Sequence, residues 1–169
     1  MTLPHGVAIG KKARYTPIEF SRMAHFLVVE DFPPMASLLT MALRREGHEV
    51  ARAGSVAAAL ALEESFEHAV LDIDLPDGNG VDLAERLLAD GRVRGVIFFT
   101  ACRDVGLLER AALLGFVVDK AAGYDCLIAA ARRLVTPGLG DKRVAIMGSA
   151  NTIDAHDPGR SGTRRKFEP

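Results

Sequence analysis

Apolar positions between residues 23 and 135 fall into two patterns. Short continuous runs appear at His25–Val29, His68–Leu71, Gly95–Phe99 and Phe116–Val118, as in strands buried on both faces. His48-Glu49-Val50-Ala51-Arg52-Ala53 instead alternates polar and apolar residues, as an edge strand does. Between these runs the period changes to that of a helix. Met35, Leu38, Leu39, Ala42 and Leu43 share one face of a helix opened by Pro33-Pro34 and closed by Gly47. Ser55 is placed to cap a second helix from Val56 to about Ser65, whose alanine-rich stretch at 56–62 reads as core-facing or close-packed. Val81 to about Asp90, Asp104 to Leu114 and Tyr124 to Val135 supply three more.

Five strands alternating with five helices predict an α/β fold, a single doubly wound (βα)5 domain. Its five-stranded parallel sheet is covered on both faces and joined by right-handed crossovers. The fold is expected to occupy residues 23–135, beginning at Met23. Residues 1–22, with Pro4, Gly6, Gly10 and Pro17 and no sustained period, read as a flexible N-terminal arm. Residues 136–169 read as a largely disordered C-terminal tail, too short for a winged-helix or helix-turn-helix output domain. One apolar run in it, Val144-Ala145-Ile146-Met147, suits an added strand or a docking segment.

Composition narrows the class without changing the fold. Hydrophobic residues make up 49% of the 169, which excludes a disordered chain. The chain lacks an apolar run of about 18 residues, the length that would mark a membrane span. The N-terminus does not read as a signal peptide. Cys102 and Cys126 have no metal-site spacing, so a cytoplasmic location is the default expectation. Charge is uneven: residues 1–22 carry net +3, residues 136–169 net +2, and residues 23–135 net −6. The basic ends read as solvated; contact with an acidic partner or nucleic acid is the alternative.

The chemistry gathers at strand ends. The first strand ends in Glu30-Asp31, the third in Asp72, the fourth in Thr100, and the fifth runs through Asp119 into Lys120. Parallel strands bring these residues to one edge, where open α/β sheets bind ligands. Asp72 opens the stretch Asp72-Ile73-Asp74-Leu75-Pro76-Asp77-Gly78-Asn79-Gly80, a sharp turn into the third helix. Two like charges about 4 Å apart cost about 4 kcal/mol at an effective dielectric near 20. Three carboxylates therefore call for a cation. Oxygen ligands select a hard one, Mg2+ first and Mn2+ second. Lys120 offers a point charge and Thr100 a hydroxyl to a phosphoryl group, and Asp72 is a possible nucleophile.

Residues 25–135 resemble the receiver domain of two-component response regulators, stand-alone (CheY-like) type. The resemblance rests on Leu-Val-Val-Glu30-Asp31, Leu-Asp72-Ile-Asp-Leu-Pro76-Asp-Gly-Asn-Gly80, Phe-Phe-Thr100-Ala101 and Val-Asp-Lys120, in that order. It implies a flavodoxin-like sheet of order 2-1-3-4-5. It implies Asp72 as phosphoacceptor for a histidine kinase or histidine phosphotransfer protein. Mg2+ would be held by Asp31 and Asp72 directly, by Glu30 through water and by the Asp74 backbone carbonyl, with Thr100 and Lys120 on the phosphoryl group. Such a protein is not an enzyme beyond its own phosphorylation and dephosphorylation. It signals by protein contact, without membrane or nucleic acid, and can form homodimers. The partner face would be the fourth helix, fifth strand and fifth helix. Val105, Leu108, Leu127 and Ala131 belong either to that face or to the core.

Two positions depart from the family pattern. Val117 stands where an aromatic switch residue is usual. Ala121 follows Lys120 where proline is usual, and a cis bond to a non-proline costs about 3–4 kcal/mol. A trans Lys120–Ala121 bond is expected, or strain there. The competing reading is a Mg2+-dependent phosphatase of the haloacid dehalogenase kind or a Toprim-like nuclease, using Glu30 with Asp72/Asp74. Asp72 on the third strand and a body of net −6 argue against it. Among the remaining polar residues, Asp77 reads as turn chemistry, His48 and His68 as surface residues, and Cys102 as packing.

Overall fold

In the computed structural model, which describes residues 23–136 and 146–147, the predicted alternation is realised. The strands and helices are β1 (His25–Val29), α1 (Pro33–Arg45), β2 (Glu49–Ala53), α2 (Val56–Ala61) and β3 (His68–Leu71). Two-residue strands β4 (Asp74–Leu75) and β5 (Gly78–Asn79) follow within the turn after Asp72, then α3 (Gly80–Ala89). β6 (Gly95–Thr100), α4 (Val105–Leu114), β7 (Phe116–Asp119), a 3-10 turn (Lys120–Ala122) and α5 (Tyr124–Val135) complete the domain. The main sheet runs β2-β1-β3-β6-β7, all parallel. This is the expected 2-1-3-4-5 order, because β4 and β5 form a separate small ladder. A sixth strand, β8 (Ile146–Met147), pairs parallel to β7, so part of the apolar tail run joins the sheet. The rest of the two flanks lies outside the described residues.

Strand residues alternate between the sheet faces. Leu27, Val29, Ala69, Leu71, Val96 and Phe98 pack with α2, α3 and α4 on one side. Phe26, Val28, Val70, Ile97, Phe99 and Val118 pack with α1 and α5 on the other. Each fully buried leucine or phenylalanine contributes roughly 1.5–3 kcal/mol relative to exposure. Leu127 and Ala131 are wholly buried and belong to the core. Val105 is 67% exposed, so of the four candidate face residues it is the one most open to a partner.

Local chemistry sets the helix ends. Ser55 accepts from Ala58 N at 3.1 Å, and Asp104 accepts from Leu107 N at 2.9 Å, as expected of caps. At the end of α1, Gly47 adopts φ 90° while Gly47 N and His48 N donate to the carbonyls of Arg44 and Leu43. This is a Schellman closure, which favours glycine at that position. Glu46 then binds Arg132 of α5 through Nε at 2.6 Å and Nη2 at 3.0 Å, tying the two helices on that face.

Four expectations are corrected. α2 stops at Ala61 rather than near Ser65, because Arg92 donates to the carbonyls of Leu60, Leu62 and Glu64 and ends the helical ladder. Its alanines are largely exposed; only Ala59 is buried. His48 is 4% exposed rather than on the surface, its ring 5.0 Å from Phe26. His68 is half-buried, its ring 5.3 Å from Phe26 on the adjoining strand. β3 lies between β1 and β6, so even its first residue is flanked on both sides.

Candidate phosphoacceptor and cation site

Every strand-end residue singled out above reaches the carboxyl edge of the sheet. Asp72 N donates to Val29 O at 2.9 Å and Glu30 N to Ala53 O at 3.1 Å, extending the ladders just past β3 and β1. Glu30, Asp72 and Thr100 are buried there, while Asp31 is exposed. Asp72 is held from behind by Gly80, whose missing side chain leaves room for the Asp72 carbonyl. Asp74 N approaches Asp72 Oδ1 at 3.4 Å.

Lys120 closes the site from β7. Its Nζ lies 2.5 Å from Asp72 Oδ2 and donates to Glu30 Oε1 at 3.1 Å. Glu30 Oε2 is 2.8 Å from the same nitrogen. Both oxygens of this buried carboxylate therefore face the same ammonium group. Burial pushes the Glu30 carboxyl above its ordinary value; the hydrogen bond and charge of Lys120 offset only part of this. Burial also works against the Lys120 ammonium, but its bonds to Asp72 and Glu30 prevail and hold it above the usual lysine value.

The donor set suits a hard divalent cation. Glu30, Asp31 and Asp72 each offer a carboxylate oxygen, all within 4.8 Å of one another. This all-oxygen cluster sets three carboxylates against the single Lys120 ammonium, and its donor chemistry fits Mg2+. The Asp74 side chain is exposed and lies outside this cluster, which does not favour the nuclease reading with its paired Asp-x-Asp ligands. Thr100 Oγ1 accepts from Cys102 N at 3.1 Å, so its turn is closed by the hydroxyl. Cys102 is buried in the core, in agreement with a packing role.

Other features were not read from the sequence. Asp77 accepts from Val56 N and Ala57 N, both at 2.8 Å, so it caps α2 across about twenty residues. Asp119 accepts from Ala121 N at 2.8 Å and pairs with Arg103 at 2.7 Å. An aspartate two residues before that amide is the one available signal, an Asx turn. The Lys120–Ala121 bond is trans, as are all the described peptide bonds.

A cluster of carboxylates faced by a lysine lies at the carboxyl edge of a flavodoxin-like 2-1-3-4-5 parallel sheet, the edge at which open α/β sheets bind ligands. The response regulator receiver domain profile matches residues 26–131, and the chain belongs to that family. Among its relatives is the probable transcriptional regulatory protein TcrX of Mycobacterium tuberculosis, 39% identical over 77 residues, 44% of this chain and 33% of that protein. Another is the virulence sensor protein BvgS of Bordetella bronchiseptica, 34% identical over 126 residues, 68% of this chain and 10% of that protein. The chain thus spans about a third and a tenth of these two relatives. Among solved structures, TrrA of Thermotoga maritima in complex with Mg2+-BeF superposes with a TM-score of 0.58 at 25% identity, covering 66% of this chain and 99% of that one. The non-phosphorylated HemR receiver domain of Leptospira biflexa gives 0.59 at 28%, covering 66% and 94%.

Proposed function

We propose that this chain accepts a phosphoryl group on Asp72 from the phosphohistidine of a histidine kinase or phosphotransfer protein and signals by protein contact. The observation that carries this reading is Lys120 Nζ, 2.5 Å from Asp72 Oδ2 within a cluster of three carboxylates. Asp31 and Asp72 would hold Mg2+, with Glu30 acting through water and the Asp74 carbonyl completing the set. Bound there, the ion would offset carboxylate charge and draw off charge from phosphoryl oxygens.

The chain's own residues do the rest. An Asp72 carboxylate oxygen attacks phosphorus, the N–P bond breaks, and the imidazole of the donor leaves with the electron pair. Lys120 gives up its contact with Asp72 Oδ2 and pairs with a phosphoryl oxygen. Thr100 donates its hydroxyl proton to another. Positioning and charge neutralisation supply most of the rate enhancement, as in phosphoryl transfer generally. Residues 23–135 act as the signalling domain. A cytoplasmic location accords with this role.

The test is incubation with Mg2+ and acetyl phosphate. An acid-stable, base-labile adduct should form on wild type and be absent from Asp72→Asn. Wild type without adduct, or Mg2+-dependent cleavage of DNA in its place, would overturn the reading.

A further inference from the structure

Thr100 and Lys120 sit at the ends of neighbouring strands, with Thr100 opposite Asp119 in the β6–β7 register. Asp119 uses both carboxylate oxygens. Oδ1 accepts from Ala121 N at 2.8 Å and caps the 3-10 turn Lys120–Ala122. Oδ2 receives Arg103 Nη1 at 2.7 Å. The backbone from which Lys120 reaches Asp72 is therefore shaped by the side chain of the residue before it.

Arg103 is itself held between two anchored neighbours. Cys102 N donates to Thr100 Oγ1 and its side chain lies in the core; Asp104 caps α4. Arg103 is thereby tied to the turn that the Thr100 hydroxyl closes. β7 offers no ring at this edge to transmit such a shift, because Val117 is an aliphatic residue buried in the core. Besides the β6–β7 ladder itself, a side-chain connection runs outside the sheet, through the Arg103–Asp119 pair.

We propose that Asp119 is the positioning residue of Lys120, and that Arg103, through Asp119, couples the Thr100 turn to the Lys120 turn. The inference rests on Asp72 being the phosphoacceptor. An exposed ion pair contributes little to stability, and the Arg103 side chain is 73% exposed. A merely structural pair would therefore leave the kinetics untouched.

The experiment compares wild type with Asp119→Ala, Asp119→Asn, Arg103→Ala and Arg103→Lys. It follows the rate of labelling by acetyl phosphate, the Mg2+ concentration for half-maximal rate, the melting temperature, and backbone amide resonances. Asp119→Ala should lower the rate at saturating Mg2+ by about tenfold, as a misplaced charged group does, with half-saturation within about twofold of wild type. Asp119→Asn keeps an acceptor for Ala121 N and should lose less; Arg103→Ala should match it, and Arg103→Lys should recover the rate. On phosphorylation, the amides of Cys102–Arg103 and of Ala121–Gly123 should both shift in wild type, whereas in Arg103→Ala the shift of the second group falls to what the Lys120 contact alone produces, well below its wild-type size. Asp119→Ala labelled at the wild-type rate would overturn the inference. So would joint loss of rate, Mg2+ affinity and melting temperature, or Ala121–Gly123 shifts of full wild-type size in Arg103→Ala. Wild type that takes no label would overturn the phosphoacceptor reading itself.

Discussion

The α-carbon of Gly80 rests against the carbonyl oxygen of Asp72: a side-chain carbon added at Gly80 would stand 1.9 Å from that oxygen. Both partners are backbone. Gly80 N also donates to Ile73 O at 2.9 Å, so the start of α3 is fastened to the strand end that carries Asp72. Gly80→Ala must push Asp72 or α3 aside. We expect a loss of about 1–3 kcal/mol in denaturant unfolding, as for overpacking elsewhere, together with slower labelling of Asp72. A variant with wild-type stability and rate would contradict this contact.

Lys120 offsets the charge of two carboxylates in the ion-free protein. Replacing it with methionine leaves Glu30 and Asp72 facing each other without a cation. Lys120→Met should be destabilised without Mg2+, and Mg2+ should then raise its melting temperature more than it raises that of wild type, since ligand binding stabilises the folded state. Thermal melts with and without Mg2+ decide this; an equal rise in both proteins would contradict it.

Asp77 is held below the ordinary carboxylate range by its bonds to Ala57 N and Val56 N. A depressed folded value means its contribution is present above the unfolded value near pH 4 and is lost as pH falls through the lower folded value. α2 has only six residues and depends on its caps. Asp77→Ala should speed hydrogen exchange at Val56 and Ala57 at neutral pH while leaving α3 amides protected. Unchanged exchange would show that Ser55 alone caps α2.

His48 and His68 face the opposite edge of the sheet from Asp72. Burial lowers both imidazole values, more than the nearby Glu67 raises them. The unfolded chain thus binds protons more readily than the folded one. The stability tied to these rings is present above the unfolded value near pH 6.5 and is lost as pH falls toward the folded values. Denaturant midpoints should drop between about pH 7.5 and 5.5 in wild type, and drop less in His48→Leu, which removes one titrating ring. Equal drops would contradict the assignment.

The edge that gathers Glu30, Asp31, Asp72, Thr100 and Lys120 was legible in the sequence because strand direction does the gathering. Once the apolar runs read as parallel strands, their terminal residues share one side. The caps Ser55 and Asp104 were legible for a local reason, a side-chain oxygen three residues before the amide it accepts. What escaped depended on contacts between distant segments. Alanine and leucine propensity extends α2 past Ala61, but the Arg92 guanidinium takes its last carbonyls. His48 sits at the end of an alternating, edge-like run, yet its ring folds beneath the sheet onto Phe26. Asp77 looks like a turn residue because the amides it caps, Val56 N and Ala57 N, lie about twenty residues earlier on α2. The Arg103–Asp119 pair joins adjacent loops whose sequences carry no shared pattern.

The central claim is that Asp72 is the residue that takes the phosphoryl group. The most direct measurement labels wild type with acetyl phosphate and Mg2+, reduces the acyl phosphate with borohydride, and locates the modified residue by peptide mass spectrometry. Reduction should appear at Asp72 alone, with none in Asp72→Asn or when Mg2+ is chelated. Modification at Asp31 or Asp74 instead, or labelling that persists in Asp72→Asn, would contradict it.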